Sequence, residues 1–170
     1  IDLLSNFDCQ LVISCDGIDE LYPIMRPTTS KKVLTWEHFE SIMRKLKDNK
    51  INHGHSFVPQ LANIHHLERW LDWCRDFYSD RKTNAIALPL YRPNWMRIEH
   101  YPDEEFKHNL ADRLEKRNDI LEFDNFNMEA TIGQLRMKGD PVQYERFLAY
   151  MAKLDEIRNT NFMAIWAENT

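Results

Sequence analysis

Cys9-Gln10-Leu11-Val12-Ile13-Ser14-Cys15-Asp16-Gly17 decides the fold class. A short apolar run with β-branched residues, closed by an Asp-Gly turn, predicts a buried strand. Leu11 and Ile13 face one side of that strand, Val12 and Ser14 the other. The run is continuous rather than strictly alternating, as suits a sheet covered on both faces.

Outward from this strand, residues 19–25 read as a short helical turn stopped by Pro27, and residues 28–34 as a polar connection. Thr35 is the expected N-cap of a helix with Glu37 in its first turn and Lys45 and Lys47 near its end. Trp36, Phe39, Met43 and Leu46 recur at helical spacing, with Ile42 expected on the same side. Residues 51–58 are the second strand, although Gly54 and two histidines weaken its pattern. After the break at Pro59, Ile64, Leu67, Leu71, Cys74 and Tyr78 mark an amphipathic helix. Residues 84–90 are the third strand, stopped by Arg92-Pro93-Asn94. The order strand, helix, strand, helix, strand implies βαβ crossovers and a parallel sheet, an α/β fold.

The second half reads as helical. Pro102-Asp103-Glu104-Glu105 loads acids onto a first turn that Phe106, Leu110 and Leu114 continue. Residues 126–138 form a shorter helix, anchored by Ile132 and Leu135 and stopped at Gly139. Asp140 is an N-cap, Pro141 occupies the first helical position, and Gln143 completes a capping box. Phe147, Met151 and Leu154 lie along that helix, and Phe162, Ile165 and Trp166 along a final one. The expected division is 1–98 for the strand-bearing part and 99–170 for the helical part. Three parallel strands leave two sheet edges, so the chain is expected to be the later portion of a longer protein whose earlier βα units cover one of them.

Composition narrows the function classes. The 170 residues are 43% hydrophobic and 12% aromatic, which a disordered chain cannot match. The net charge of −5, without a long Lys/Arg run, disfavours a nucleic-acid partner. No apolar stretch approaches the ~20 residues that span a bilayer. The cysteines Cys9, Cys15 and Cys74 are odd in number and widely spaced, which favours a reducing, cytoplasmic setting over a disulfide framework.

Each candidate site residue carries two readings. Ser14 and Asp16 close a strand at its carboxyl end, where α/β sheets place ligands, and Arg26 can clamp a carboxylate; alternatively Asp16-Gly17 is a simple turn and Arg26 a surface ion-pair partner. Asn63 either hydrogen-bonds a ligand at the same sheet edge or caps the following helix. His53 and His55 alternate on one strand face and His65-His66 open a helix, but no carboxylate or thiol completes a metal site. These histidines are expected at a polar strand edge and on a helix surface. Cys74 is expected to be a buried apolar residue.

Leu11 through Gly17, followed by Tyr22, Arg26-Pro27 and Trp36, resembles the middle of radical SAM enzymes of the SPASM/twitch group. There a strand ends in Ser-x-Asp-Gly, followed by an Arg, a helix opening on an aromatic residue, then a strand and an Asn, here Ser56-Phe57-Val58 and Asn63. Pro102-Asp103-Glu104-Glu105-Phe106-Lys107 resembles the family's "LPxExK" helix start. Leu154-Asp155-Glu156-Ile157-Arg158, with Asn161-Phe162, resembles its closing "LDxxRxxNF" segment. The resemblance runs in order from about Cys9 to Trp166. It implies an incomplete parallel (β/α) barrel followed by a helical C-terminal region. It further implies that Ser14, Asp16, Arg26 and Asn63 line the S-adenosylmethionine site, with Ser14 and Arg26 at the cofactor's amino-acid end. The intact parent would hold S-adenosylmethionine and a [4Fe–4S] cluster and abstract hydrogen, in such relatives often from a peptide or protein. The family's CxxxCxxC and Gly-Gly-Glu motifs are absent from these 170 residues. The expected partner is therefore a missing N-terminal half of the barrel, and this chain alone is expected to hold no cofactor and to be inactive. The alternative reading is a stand-alone, non-catalytic α/β binding domain.

Overall fold

Three short strands, β1 (Leu11–Ser14), β2 (His53–Phe57) and β3 (Ala85–Ala87), form a parallel sheet in the order β1-β2-β3. Ser14 stands opposite Ser56, and Phe57 opposite Ala87. The computed structural model describes residues 10–27, 34–79, 85–117 and 125–169. Cys9, Asn84 and the connection 28–33 lie outside them. The fold is mixed α/β and mostly helical, with this small sheet as its only strand structure among the described residues.

After β1 a single 3-10 turn leads into α1 (Tyr22–Met25). Helix α2 (Trp36–Asp48) starts where the sequence predicts, with the Thr35 hydroxyl accepting from His38 N at 3.3 Å. Trp36, Phe39, Met43 and Leu46 are buried. Ile42 is instead exposed, because it falls at the rim of that stripe rather than within it. Helix α3 (Leu67–Phe77) buries Leu67, Trp70, Leu71 and Cys74, but its expected first turn is a 3-10 segment over Leu61–His66.

The histidines of β2 are not edge residues. β2 is the central strand, and His53 and His55 are both buried beneath α2 and α3. Their rings join an aromatic wall: His55 packs 6.0 Å from Phe39 and 5.2 Å from Trp73, and His53 lies 5.4 Å from Tyr78. Their polar atoms find partners within the wall: His53 Nδ1 meets the Ile51 carbonyl at 2.7 Å, and His55 Nε2 meets the Tyr78 hydroxyl. His66 is buried too, not on a helix surface. The Ile51 carbonyl and the Tyr78 hydroxyl make the His53 and His55 imidazoles compatible with the core, which strand alternation alone does not reveal.

The opposite face of the sheet is less covered. Val12 is 58% exposed and Ser14 is exposed. The two edges also differ. Bonds from Leu11 N to Asn52 O and from Cys15 N to Ser56 O turn the odd residues of β1 toward β2, leaving Val12 and Ser14 directed at the outer edge. The outer edge of β3 is closed by α5 (Asn125–Leu135), a helix that follows α4 (Glu104–Glu115). There the Thr131 hydroxyl donates to Ala87 O at 3.3 Å and Gln134 Nε2 to Leu90 O at 3.0 Å. Side-chain donors thus occupy carbonyls that a further strand would use.

Helix α6 (Pro141–Arg158) begins with Asp140 as N-cap, whose carboxylate accepts from Val142 N at 3.0 Å. The predicted capping box does not close: Gln143 donates to the Asp140 carboxylate at 3.4 Å, because Asp140 N is already donated to His100 Nδ1 at 3.1 Å. Asn159 ends α6 in the left-handed conformation with φ 52°. Helix α7 (Phe162–Asn169) then turns back. Its free N–H groups are capped by Asp155, one α6 turn earlier, which accepts from Phe162 N and Met163 N at 2.9 Å each and from the Thr160 hydroxyl. One buried core runs from Cys15 to Trp166 and crosses the 98/99 division without a break. No helix among the described residues is long and apolar enough to cross a membrane.

Candidate functional site

Asp16, Arg26 and Asn63 come together where β1 and β2 end, with Ser14 on the adjoining sheet face. Asp16 is the hub. One carboxylate oxygen receives the Arg26 guanidinium at 2.5 Å, and the other receives Val58 N at 3.0 Å. A single acid therefore ties the segment after β1 to the segment after β2. Arg26 has the ion-pair partner of the second reading, and that partner is Asp16 itself.

Asn63 is fully buried, and its amide is spent on the protein. Nδ2 donates to Asp16 O at 2.9 Å and to Val58 O at 3.0 Å, while Oδ1 accepts from Gln60 N at 2.8 Å. It is not the N-cap; Gln60 holds that position, and Asn63 is the third residue of a reciprocal capping box. Asn63 works as a buckle between the ends of β1 and β2 and supplies no free donor to a ligand. Asn63→Ala removes three hydrogen bonds and leaves two carbonyls short of a partner. It is expected to destabilise the fold by about 2–3 kcal/mol, read as a lowered urea midpoint with unchanged slope.

Ser14 and Arg26 are the side chains with capacity left. The Ser14 hydroxyl is exposed and shares a hydrogen bond with Ser56 Oγ at 3.2 Å. Arg26 is about a third exposed and uses one nitrogen on Asp16, while its Nε is buried with no partner. A guanidinium with unspent donors near the carboxyl end of a strand suits a carboxylate. Ser56, which the sequence places only as part of the second strand, shares the Ser14 hydrogen bond. The signal was the register, since Ser14 and Ser56 occupy equivalent places on neighbouring parallel strands. The bond from Val58 N carries no sequence signal at all.

The two described thiols are buried. Cys15 is buried, and burial pushes its pKa up to about 12; Cys74 is buried deeper still and is also pushed up by burial. At neutral pH both are thiols packed in the apolar core. Among the described residues no three His, Cys, Asp or Glu side chains converge as a metal site. Among the described residues, Ser14 and Arg26 are the polar groups at the strand ends that keep hydrogen-bonding capacity.

Further along, Trp95 packs 4.5 Å from Tyr150 with Arg146 over its ring, and Arg97 is paired with the buried Glu99 at 2.5 Å. Comparison with family models, with curated proteins and with solved structures finds no match for this chain.

Proposed function

We propose that this chain is the later portion of a radical SAM protein of the twitch/SPASM group, in which Ser14 and Arg26 receive the amino-acid end of S-adenosylmethionine. The observation that carries it is the gathering of a hydroxyl and an under-used guanidinium at the carboxyl ends of consecutive parallel strands. That is where ligands of parallel α/β sheets bind. Asp16 holds Arg26 in place, and Asn63 holds the two strand ends in register. In the parent, the cofactor would supply the power to abstract hydrogen from a peptide or protein substrate. The cluster that reduces it would be carried by sequence outside these 170 residues.

The incomplete (β/α) barrel belongs to the same proposal. Two features support it: α5 closes the β3 edge as at the last strand of a series, and β1 keeps an exposed Val12 and an outward-directed edge toward a preceding strand. The binding-domain alternative is favoured by one observation, the complete use of Asn63 inside the protein.

Sequencing upstream of the codon for Ile1, then assaying the protein from the whole reading frame, separates the two. The frame is expected to continue and to encode CxxxCxxC. In that protein Arg26→Ala is expected to weaken S-adenosylmethionine binding roughly tenfold or more, the share of one or two charge-assisted hydrogen bonds. A stop codon directly upstream, or unchanged affinity in both Arg26→Ala and Ser14→Ala, would leave the binding-domain reading standing.

A further inference from the structure

Helix α7 packs on the loops that leave the carboxyl ends of β1 and β2. Its Phe162, Ile165 and Trp166 meet Leu21, Ala62, His65 and His66 around a cavity of about 10 Å³, room for at most one water. The seat is apolar apart from its two imidazoles. His65 is wedged between Tyr101, Phe106 and Trp166, with ring centroids 5.1, 4.7 and 5.3 Å away. His66 is 3% exposed. His65 Nε2 and His66 Nδ1 are both buried without a hydrogen-bond partner.

A neutral imidazole tolerates such a seat, because one ring nitrogen can remain a lone pair. An imidazolium does not: both nitrogens become donors, and a full charge sits against Phe162, Ile165 and Trp166. We propose that α7 is an acid-released latch, in which protonation of His66 detaches the helix from the loops after β1 and β2. The hinge is the segment 159–161, and the latch does not depend on the cofactor reading above.

The groups facing His66 agree with this sign. Burial and the neighbouring Arg69 of α3 favour its neutral form, Glu20 opposes them, and His65 adds to them; the pKa falls from 6.5 to about 4. Burial likewise holds His65 below its ordinary value. Arg69 is itself drawn toward Asp19 at 2.5 Å and Glu20 at 4.0 Å. The one ionisable residue that α7 contributes, Glu168, is exposed. Once α7 is detached, His66 regains water and its value rises toward the ordinary 6.5, with Arg69 of α3 still beside it. Docking is therefore fully favoured above pH 6.5, weakens below it by up to about tenfold per pH unit, and levels off near pH 4 at no more than roughly 300-fold. The Asp155 cap does not titrate in that window. Burial raises its pKa, but the hydrogen bonds from Thr160, Met163 and Phe162 outweigh that and hold the carboxyl below its ordinary value.

Hydrogen–deuterium exchange of the protein between pH 7.5 and 4, corrected for intrinsic exchange rates, reads the latch directly. Protection of residues 162–168 is expected to fall by up to roughly 300-fold toward pH 4, while that of residues 53–57 stays near constant. His66→Gln is expected to flatten the fall. Should that variant not fold, Trp166→Ala supplies the second reading: low protection at 162–168 at every pH, with no acid dependence. Constant protection of 162–168, a fall in step with 53–57, or an undiminished fall in His66→Gln would overturn the latch. So would an acid-dependent fall in Trp166→Ala.

Discussion

Lys107→Met is expected to lower stability by about 4 kcal/mol, moving the urea midpoint without changing the slope. Lys107 lies on α4 and is wholly buried. Its ammonium uses all three donors: Glu99 O at 2.7 Å, Met137 O at 3.0 Å and the Glu104 carboxylate at 2.9 Å. A methionine fills nearly the same volume and donates nothing. Replacing a buried ion by an apolar residue is sometimes neutral, because the desolvation of the charge is relieved. Here two of the three acceptors are backbone carbonyls that remain in place, in a region closed to solvent, and each orphaned carbonyl carries a penalty of about 1–3 kcal/mol. Glu104 is half exposed and returns to water, so it adds little. A loss below about 1 kcal/mol would mean that relief of desolvation balances the orphaned carbonyls. The loop 97–101 and the turn after α5 would then be held by contacts other than these two carbonyl bonds, the Asp140–His100 bond among them.

Lys107 also shows where the sequence was legible and where it was not. The helix that carries it and its acidic first turn follow from local chemistry, and the structure has both, but the helix opens at Glu104 rather than at Pro102, with Asp103 as N-cap accepting from Phe106 N at 2.8 Å. The parallel order of the strands follows from the alternation of elements. Local patterns do not report which long-range acceptors a side chain will find. A lysine in an amphipathic helix reads as solvated, yet this one reaches carbonyls eight residues before it and thirty after it. The candidate site divides in the same way. Asp16 and Asn63 were visible as strand-end polar residues, but their roles as tie and buckle depend on Val58 N and Val58 O, which have no side-chain signature. His53 and His55 were misplaced at an edge because a histidine's burial depends on distant partners, here Tyr78 for His55. Gln143 misses its capping box because His100, forty residues from Asp140, reaches the backbone N–H first.

Gly139→Ala is the companion prediction, with an expected loss of about 3 kcal/mol or more. The sequence assigns Gly139 the stop of a helix, but α5 ends at Leu135, and no described glycine has a positive φ. Left-handed backbone freedom is therefore not what the position requires; space is. A Cβ on Gly139 would lie 2.5 Å from Glu99 O and 3.1 Å from His100 Cα, both backbone atoms. Neither can swing aside as the end of a side chain does, so the 97–101 loop or the α5–α6 turn must shift. Gly17 is the useful contrast, because an added Cβ there meets Leu21 at 3.1 Å, and a few tenths of an ångström of movement suffice. Gly17→Ala is accordingly the milder change. Glu99 O is the atom that Gly139→Ala displaces, and Lys107 holds that same carbonyl. The two substitutions therefore strike one contact, and the double variant should lose less than the sum of the singles by about 1 kcal/mol or more in a double-mutant cycle. Strict additivity would show that Lys107 and Gly139 stabilise separate features and that the carbonyl between them is not their shared point.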